Sequence, residues 1–108
     1  MAKTAGKKML ESSLQSWFIR ELDKYGWLVI KVTSPNRRGL PDVVVIDYDC
    51  EGRDLWVELR VVKKVQRHHE LQRAFHQKMN AAGARVCTVI GMEETRKLVN
   101  NILHGVPV

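Results

Sequence analysis

The sequence lacks the features that would mark a membrane or exported protein. No apolar run approaches the roughly 20 residues that a bilayer span needs, and no apolar core of about 7 to 15 residues follows the basic N-terminus, as a signal peptide requires. The two cysteines, Cys50 and Cys87, have no CxxC or CxxH spacing around them. Membrane insertion, a cysteine-based zinc site and a disulfide framework are therefore excluded, and we expect two reduced thiols.

Internal repeats and low-complexity segments are also absent. The 108 residues, 44% hydrophobic and 28% charged, are enough for one soluble domain with a core and too few for two. We expect residues 1–8 to form a mobile basic tail, residues 9–108 to form a single domain, and the protein to be cytoplasmic.

Positive charge is what the chain has in excess. The net charge is +6 and the isoelectric point is near 9.6. Lysines and arginines that neutralise phosphates release counterions and so give non-specific affinity for nucleic acid. Many small basic domains bind no nucleic acid, however, so charge alone leaves both interpretations open.

Apolar periodicity predicts seven elements in the order α-β-β-β-α-β-α. Helices are indicated where apolar residues recur every three or four positions, and strands where β-branched and aromatic residues cluster. The predicted elements are a helix over residues 10–25, strands over 27–33, 42–48 and 55–61, a helix over 70–82, a strand over 85–90 and a helix over 93–103.

Two acids stand in apolar, strand-forming sequence. Asp42 precedes the β-branched run 43–46, and Glu58 lies within the run 55–61, with a polar turn between the two runs. A buried carboxylate is costly unless a cation or hydrogen bonds compensate, and a bound metal would compensate both acids. Because side chains alternate along a strand, Glu58 and Arg60 share one face. A simple ion pair on an exposed face is therefore the alternative.

Glu11 occupies an unusual place on the first predicted helix. On a helical wheel it lies within about 20° of Phe18 and Leu22, inside the apolar stripe. One explanation is that Glu11 sits in the first turn, where an acid favours the helix dipole and still reaches water.

Basic residues cluster in two further passages. One is a loop after the first strand, which could hold a phosphate near Asp42 or be plainly solvated. The other, residues 62–69, is predicted as a weakly structured approach to the second helix. Its adjacent histidines complete no zinc set, which favours phosphate contact or solvation over a metal site. The candidate DNA contacts are Arg37, Arg38, Lys63, Lys64, Arg67 and His68.

Four motif elements in this order resemble the VRR-NUC family of the PD-(D/E)XK nuclease superfamily. They are Glu11 on the first helix, Gly39-x-Pro41-Asp42, Glu58-Leu59-Arg60, and Gln72 on the helix that follows, where it lies at the edge of the apolar stripe. The resemblance extends from about residue 9 to residue 90.

The resemblance implies an α/β (α+β) restriction-endonuclease-like fold, with an αβββαβ core, a mixed central sheet flanked by helices, and a C-terminal helix. It implies a Mg²⁺- or Mn²⁺-dependent endonuclease acting on branched or flapped DNA such as four-way junctions, a homodimer, and a phage or bacterial origin. Asp42, Glu58 and the Leu59 carbonyl would hold the metal, and Glu11 would join directly or through water. Gln72 would position the residue on the base side or the attacking water.

Arg60 departs from the family pattern, which has lysine at this position. A lysine with a lowered pKa can orient or deprotonate water, whereas arginine stays charged and carries a planar fork. Arg60 could stabilise transition-state charge, or it could fold back onto Glu58 or Asp42 and compete with the metal. The sequence therefore leaves two main functions open: an active endonuclease, or a catalytically impaired module that binds branched DNA. A third hypothesis, a structural protein with no nucleic-acid role, leaves Asp42 and Glu58 unexplained.

Overall fold

A four-stranded mixed sheet with helices on both faces forms the framework of the protein. The computed structural model describes residues 10–33, 39–61 and 67–108, with the backbone alone at 67–69. No helix in these ranges is long and apolar enough to cross a bilayer. The elements are α1 (Glu11–Lys24), β1 (Val29–Lys31), β2 (Val43–Val45), β3 (Leu55–Arg60), α2 (Arg67–Ala81), β4 (Arg85–Ile90) and α3 (Gly91–Leu103).

The strands lie in the sheet in their sequence order. β1 and β3 each pair antiparallel with β2, and β4 pairs parallel with β3. The parallel pair needs a crossover connection, and α2 supplies it. The predicted order α-β-β-β-α-β-α and the mixed α/β (α+β) fold are both confirmed.

The hydrophobic core lies between one face of the sheet and helices α1 and α3. Leu14, Phe18 and Leu22 recur at four-residue spacing on α1 and are fully buried. They pack with residues that alternate along β2 and β3 and with the inner face of α3. The other buried core members include Val43, Val45, Leu55, Val57, Leu59, Val89, Leu98, Val99 and Ile102.

The hairpin strands are shorter than predicted because the turn begins early. β2 ends at Val45, not at residue 48, since Asp47 has a positive φ of 53° that no strand accommodates. Carboxylates hold the turn that follows: the Asp47 N–H donates to Asp54 Oδ1 at 2.9 Å, and Asp47 Oδ1 accepts from the Gly52 N–H at 2.6 Å. The turn thus satisfies its own backbone donors.

Helix α2 differs from its prediction in both length and orientation. It begins at Arg67, so residues 67–69 are helical and not part of an irregular passage. Leu71, expected in the buried stripe, is 59% exposed, whereas His76 is only 8% exposed. The sheet face toward α2 carries Glu58 and Arg60, and for that reason polar side chains of the helix face it.

Gly39 brings the chain against α2 immediately before β2. Its φ is +89°, a left-handed conformation that glycine adopts without strain. A Cβ at this position would lie 3.2 Å from Phe75 Cβ and 3.5 Å from the Gln72 Cα. The ring of His76 also hydrogen-bonds to the Gly39 backbone. This close approach fixes the position of the chain three residues before Asp42.

We predict that Gly39→Ala destabilises the protein more than Gly52→Ala. Gly52 has a nearly identical φ of +87° but open space around it, so both variants lose about 1–2 kcal/mol to backbone strain. Gly39→Ala should lose roughly a further 1–3 kcal/mol from the crowded contact with α2. Urea denaturation of both variants measures the difference; equal losses would contradict the docking of Gly39 on α2.

Candidate functional site

Asp42 and Glu58 face each other across the β2–β3 hairpin. Val43 pairs with Val57, so the next step of the antiparallel register sets Asp42 opposite Glu58. Side chains at such positions are neighbours, with Cβ atoms about 5 Å apart. Asp42 is held there because its Oδ2 accepts a hydrogen bond from the Leu59 N–H at 2.8 Å. The register therefore turns two distant acids into a pair.

Glu58 is the more deeply buried acid of the pair. It is 4% exposed, and its Oε1 has no hydrogen-bond partner among the described residues. Burial, with a further contribution from Asp42, raises the pKa of Glu58 to about 8; Arg60 and Gln72 oppose the shift. A carboxylate oxygen that is buried and unpartnered is the group that a cation would compensate.

Asp42 shares this environment to a lesser degree. Burial is the largest cause that raises its pKa, and the negative charge of Glu11 adds to the effect. The Leu59 hydrogen bond and the positive charges of Arg60 and Lys31 act in the opposite direction. Both acids therefore hold their protons more tightly than free carboxyl groups do.

Arg60 points into the site and is tied to two of its members. Its Nη2 donates to Gln72 Oε1 at 2.9 Å, and its Nε lies 3.8 Å from Glu58 Oε2. That second distance makes an ion pair but is too long for a hydrogen bond, and Nε has no hydrogen-bond partner in the described ranges. Gln72 thus holds the guanidinium from α2 beside Glu58. The ion pair expected on an exposed face is instead largely buried.

Glu11 lies at the edge of this group and not inside the core. It is the first residue of α1 and is exposed, while Leu14, Phe18 and Leu22 farther along the helix are buried. The helical wheel predicted a buried Glu11 side chain. That prediction is wrong because the side chain of the first helical residue projects past the end of the packed interface. Glu11 is still near enough for its charge to raise the pKa of both other acids.

The candidate DNA contacts lie mostly outside the described residues. This holds for Arg37, Arg38, Lys63 and Lys64, so their roles stay predictions. Arg67 and His68 belong to the first turn of α2, whose backbone alone is described. Their assignment as DNA contacts also stays a prediction.

His76 is a site residue that the sequence interpretation missed. It is buried beside Arg60, and burial lowers its pKa while a hydrogen bond to the Gly39 backbone raises it. A signal was available in the sequence, because residues four apart share a helix face and His76 follows Gln72 by four. The assignment of Gln72 to the site therefore also predicts His76 as a neighbour of the site.

The acid pair fits a hard divalent cation with oxygen ligands. Mg²⁺ is commonly bound by one or two carboxylates while it keeps several waters. Asp42 and Glu58 supply two carboxylates, and the unpartnered Glu58 Oε1 is a free ligand atom. Within the ranges that the structure covers, no three His, Cys, Asp or Glu side chains form a group able to hold a metal. Two carboxylates, without Glu11, are thus the set that the site offers directly.

Comparison with known proteins identifies the fold. A solved structure of a "VRR_NUC domain" superposes with a TM-score of 0.65 and 28% sequence identity, covering 83% of this chain and 94% of the other. The chain folds as a VRR-NUC domain. No protein-family model and no curated protein sequence matches the chain. VRR-NUC is a family of nuclease domains, which agrees with a site built from paired acids.

The residues on which the resemblance to VRR-NUC domains was based lie together at one end of the sheet. Asp42 precedes β2, Glu58 and Arg60 lie on β3, and Gln72 projects from α2 toward Arg60. Arg60, the residue that departs from the pattern of the resemblance, contacts an acid of the pair.

The raised pKa of Glu58 predicts how stability depends on pH. Between its ordinary pKa of 4.5 and its folded pKa of about 8, the folded protein keeps a proton that the unfolded chain releases. Without divalent metal, stability should therefore fall as pH rises through this window. Glu58→Gln should remove most of this fall, because glutamine does not ionise.

Thermal denaturation in EDTA from about pH 5 to 8.5 tests this prediction across the window that the linkage relation defines. Glu93→Gln is the matched control, because the Glu93 side chain is 87% exposed. His76, whose pKa is lowered, contributes the opposite trend, but that contribution cancels when the variants are compared. If Glu58→Gln kept the pH dependence of the wild type, the buried acid would not be its source.

Proposed function

We propose that the protein is a divalent-metal-dependent DNA endonuclease that hydrolyses phosphodiester bonds at branched DNA. One observation carries the proposal: the pairing of Asp42 with a buried Glu58 whose Oε1 lacks a partner among the described residues, next to a guanidinium. Carboxylates beside a fixed cation suit the handling of phosphate, whose oxygens gain negative charge in the transition state. The VRR-NUC fold supports the same reaction class.

Each residue would have a distinct task in this reaction. Asp42 and Glu58, with the Leu59 carbonyl, would hold Mg²⁺ or Mn²⁺, and Glu11 would act through water from the edge of the site. The metal, when bound, supplies a Lewis acid and a more acidic water. The Leu59 N–H keeps Asp42 oriented toward Glu58 through its 2.8 Å hydrogen bond.

We assign Arg60 the role of stabilising negative charge on the phosphate, and not that of removing a proton from water. An arginine stays charged in proteins and cannot act as a general base. Its two-point attachment to Gln72 and Glu58 leaves it aimed at the acid pair, where a scissile phosphate would bind. Gln72 is thus a positioning residue that acts through Arg60.

DNA is the substrate class that fits the charge of the chain. The net charge of +6 favours a polyanion. The preference for four-way junctions or flaps comes from the VRR-NUC resemblance, as does a homodimer, whose two-fold symmetry suits a symmetric junction.

A second candidate function is a DNA-binding module with impaired catalysis. The ion pair between Arg60 and Glu58 favours it, because the guanidinium already offsets part of the negative charge that would attract a metal. Such a module would bind branched DNA in EDTA as well as in Mg²⁺, with an affinity that falls steeply with salt.

Cleavage of labelled four-way junction, flap and linear duplex with Mg²⁺, Mn²⁺ or EDTA tests the proposal. We expect metal-dependent cutting of the branched substrates and a loss of at least about 100-fold in Asp42→Asn, since even outer partners of a metal site contribute 10- to 100-fold. Asp23→Asn, an exposed acid at the far end of α1, is the control and should cut like the wild type.

Arg60→Lys separates the two candidate functions in the same assay. If wild type and Arg60→Lys both cut, arginine is compatible with catalysis. Cutting by the lysine variant alone would assign the chain to the binding module. If neither cuts any substrate with either metal, the endonuclease proposal is wrong.

A further inference from the structure

The outer edge of β1 has no partner strand in the described part of the chain. β1 is the first strand of the sheet and pairs with β2 on its inner side. Just after β1, the Val32 N–H donates to the Asp42 carbonyl at 2.8 Å, so the even-numbered residues of this strand are bonded to β2. Because bonded positions alternate along an antiparallel strand, the N–H and C=O groups of Val29 and Lys31 point outward. These groups are a template for another strand.

Large apolar side chains are exposed along the same edge. Leu28 is 59% exposed and Ile30 is 46% exposed. Ile30 continues the row of Val44 and Trp56 on the sheet face away from the core, and helix α2 packs against β4 at the other side of the sheet. Single exposed apolar residues are common, but an apolar edge strand with free backbone groups is a surface that soluble proteins cover.

The edge of β1 is complementary to itself. In an antiparallel pairing centred on Ile30, Val29 of one copy lies opposite Lys31 of the other, about a two-fold axis. The outward groups of these two residues then form hydrogen bonds across the axis, and none is left over. Each lysine lies opposite a valine, so no like charges face each other. The two Ile30 side chains meet at the axis and cover each other.

The two neighbouring registers fit less well. Centring the pairing on Val29 would require the backbone of Trp27, whose N–H already donates to the Leu22 carbonyl at 3.1 Å. Centring it on Lys31 would set two lysines directly opposite each other, where like charges repel. We propose that β1 pairs with β1 of a second copy of this chain, in the register centred on Ile30.

This pairing places both acid pairs on one face of a sheet that continues through the two copies. The two-fold axis is perpendicular to the sheet, so Asp42 and Glu58 of both copies point the same way. From the usual strand spacing and rise per residue, the two Asp42 residues lie about 20 Å apart. A branched substrate on that face would meet two sites at once. Only this use of the two sites rests on the proposed function; the interface itself does not.

Disulfide trapping tests the register without DNA or metal. The background is Cys50→Ser, because Cys50 is exposed, whereas burial raises the pKa of Cys87 to about 12 and keeps its thiol unreactive. Ile30→Cys should cross-link to its own copy on mild oxidation, since facing residues at such a position have Cα atoms about 4.5 Å apart, within the range of a disulfide. Denaturing gels without reductant measure the cross-linked fraction.

Leu28→Cys in the same background is the matched control. Leu28 is more exposed than Ile30, so random collision would cross-link it at least as readily. In the proposed register it lies about 14 Å from its own copy, too far for a disulfide. It lies opposite Val32 of the second copy, however, so combining Leu28→Cys with Val32→Cys should restore the cross-link.

A charge at the axis should separate the two copies. Ile30→Lys sets two lysines opposite each other and removes the apolar contact, so we expect association to weaken by at least about tenfold. Sedimentation equilibrium over a range of protein concentrations measures it. Val106→Lys is the control, because Val106 is also 46% exposed and lies near the C-terminus, and it should associate like the wild type.

Several results would overturn the assignment. A monomeric mass at every concentration would do so, as would cross-linking that is equal at positions 28 and 30 or missing at position 30. A dimer that survives Ile30→Lys would place the interface elsewhere. A protein that pairs through β1 but cuts no DNA would retain the interface and reject the endonuclease proposal, so the two failures are distinguishable.

Discussion

The antiparallel pairing of β2 with β3 is the constraint on which the site depends. It sets Asp42 opposite Glu58, and the hydrogen bond from the Leu59 N–H to Asp42 Oδ2 locks that arrangement. The core supports the pairing from one side, because the alternate residues Val43 and Val57 are fully buried under α1 and α3. On the other side, Gly39 docks on α2 and fixes the chain that leads to Asp42. The same backbone pairing therefore stabilises the sheet and positions the acids.

This arrangement is costly without a cation. Burial raises the pKa of Glu58 to about 8 and also raises that of Asp42. One arginine at 3.8 Å offsets part of the cost, but Glu58 Oε1 still has no partner among the described residues. Titratable groups that are brought together at a cost to stability are typical of functional sites. Under the proposed function, Arg60 and a divalent metal would compensate the same carboxylate, and their competition would decide between an active nuclease and a binding module.

Much of this organisation could be predicted from the sequence, for reasons that differ among elements. The order of helices and strands follows from apolar periodicity, and the neighbouring acids follow from a hairpin whose strands are both buried. The end of β2 could not be predicted, because the left-handed conformation of Asp47 leaves no mark on the apolar pattern. The orientation of helix α2 was predicted wrongly. Its apolar stripe was expected to face the sheet, but that sheet face carries Glu58 and Arg60. The contact of Arg60 with Gln72 depends on long side-chain torsions that sequence spacing does not determine.

Direct detection of metal at the acid pair tests the central claim independently of cleavage. Substoichiometric Mn²⁺ added to ¹⁵N-labelled protein broadens the amide signals of residues near the bound ion, even when binding is weak. We predict that the signals of Asp42, Glu58 and Leu59 broaden first and that Asp42→Asn abolishes this selective effect. Broadening centred on the acidic turn at residues 47–54, or spread evenly over the protein, would show that the acid pair does not hold a metal.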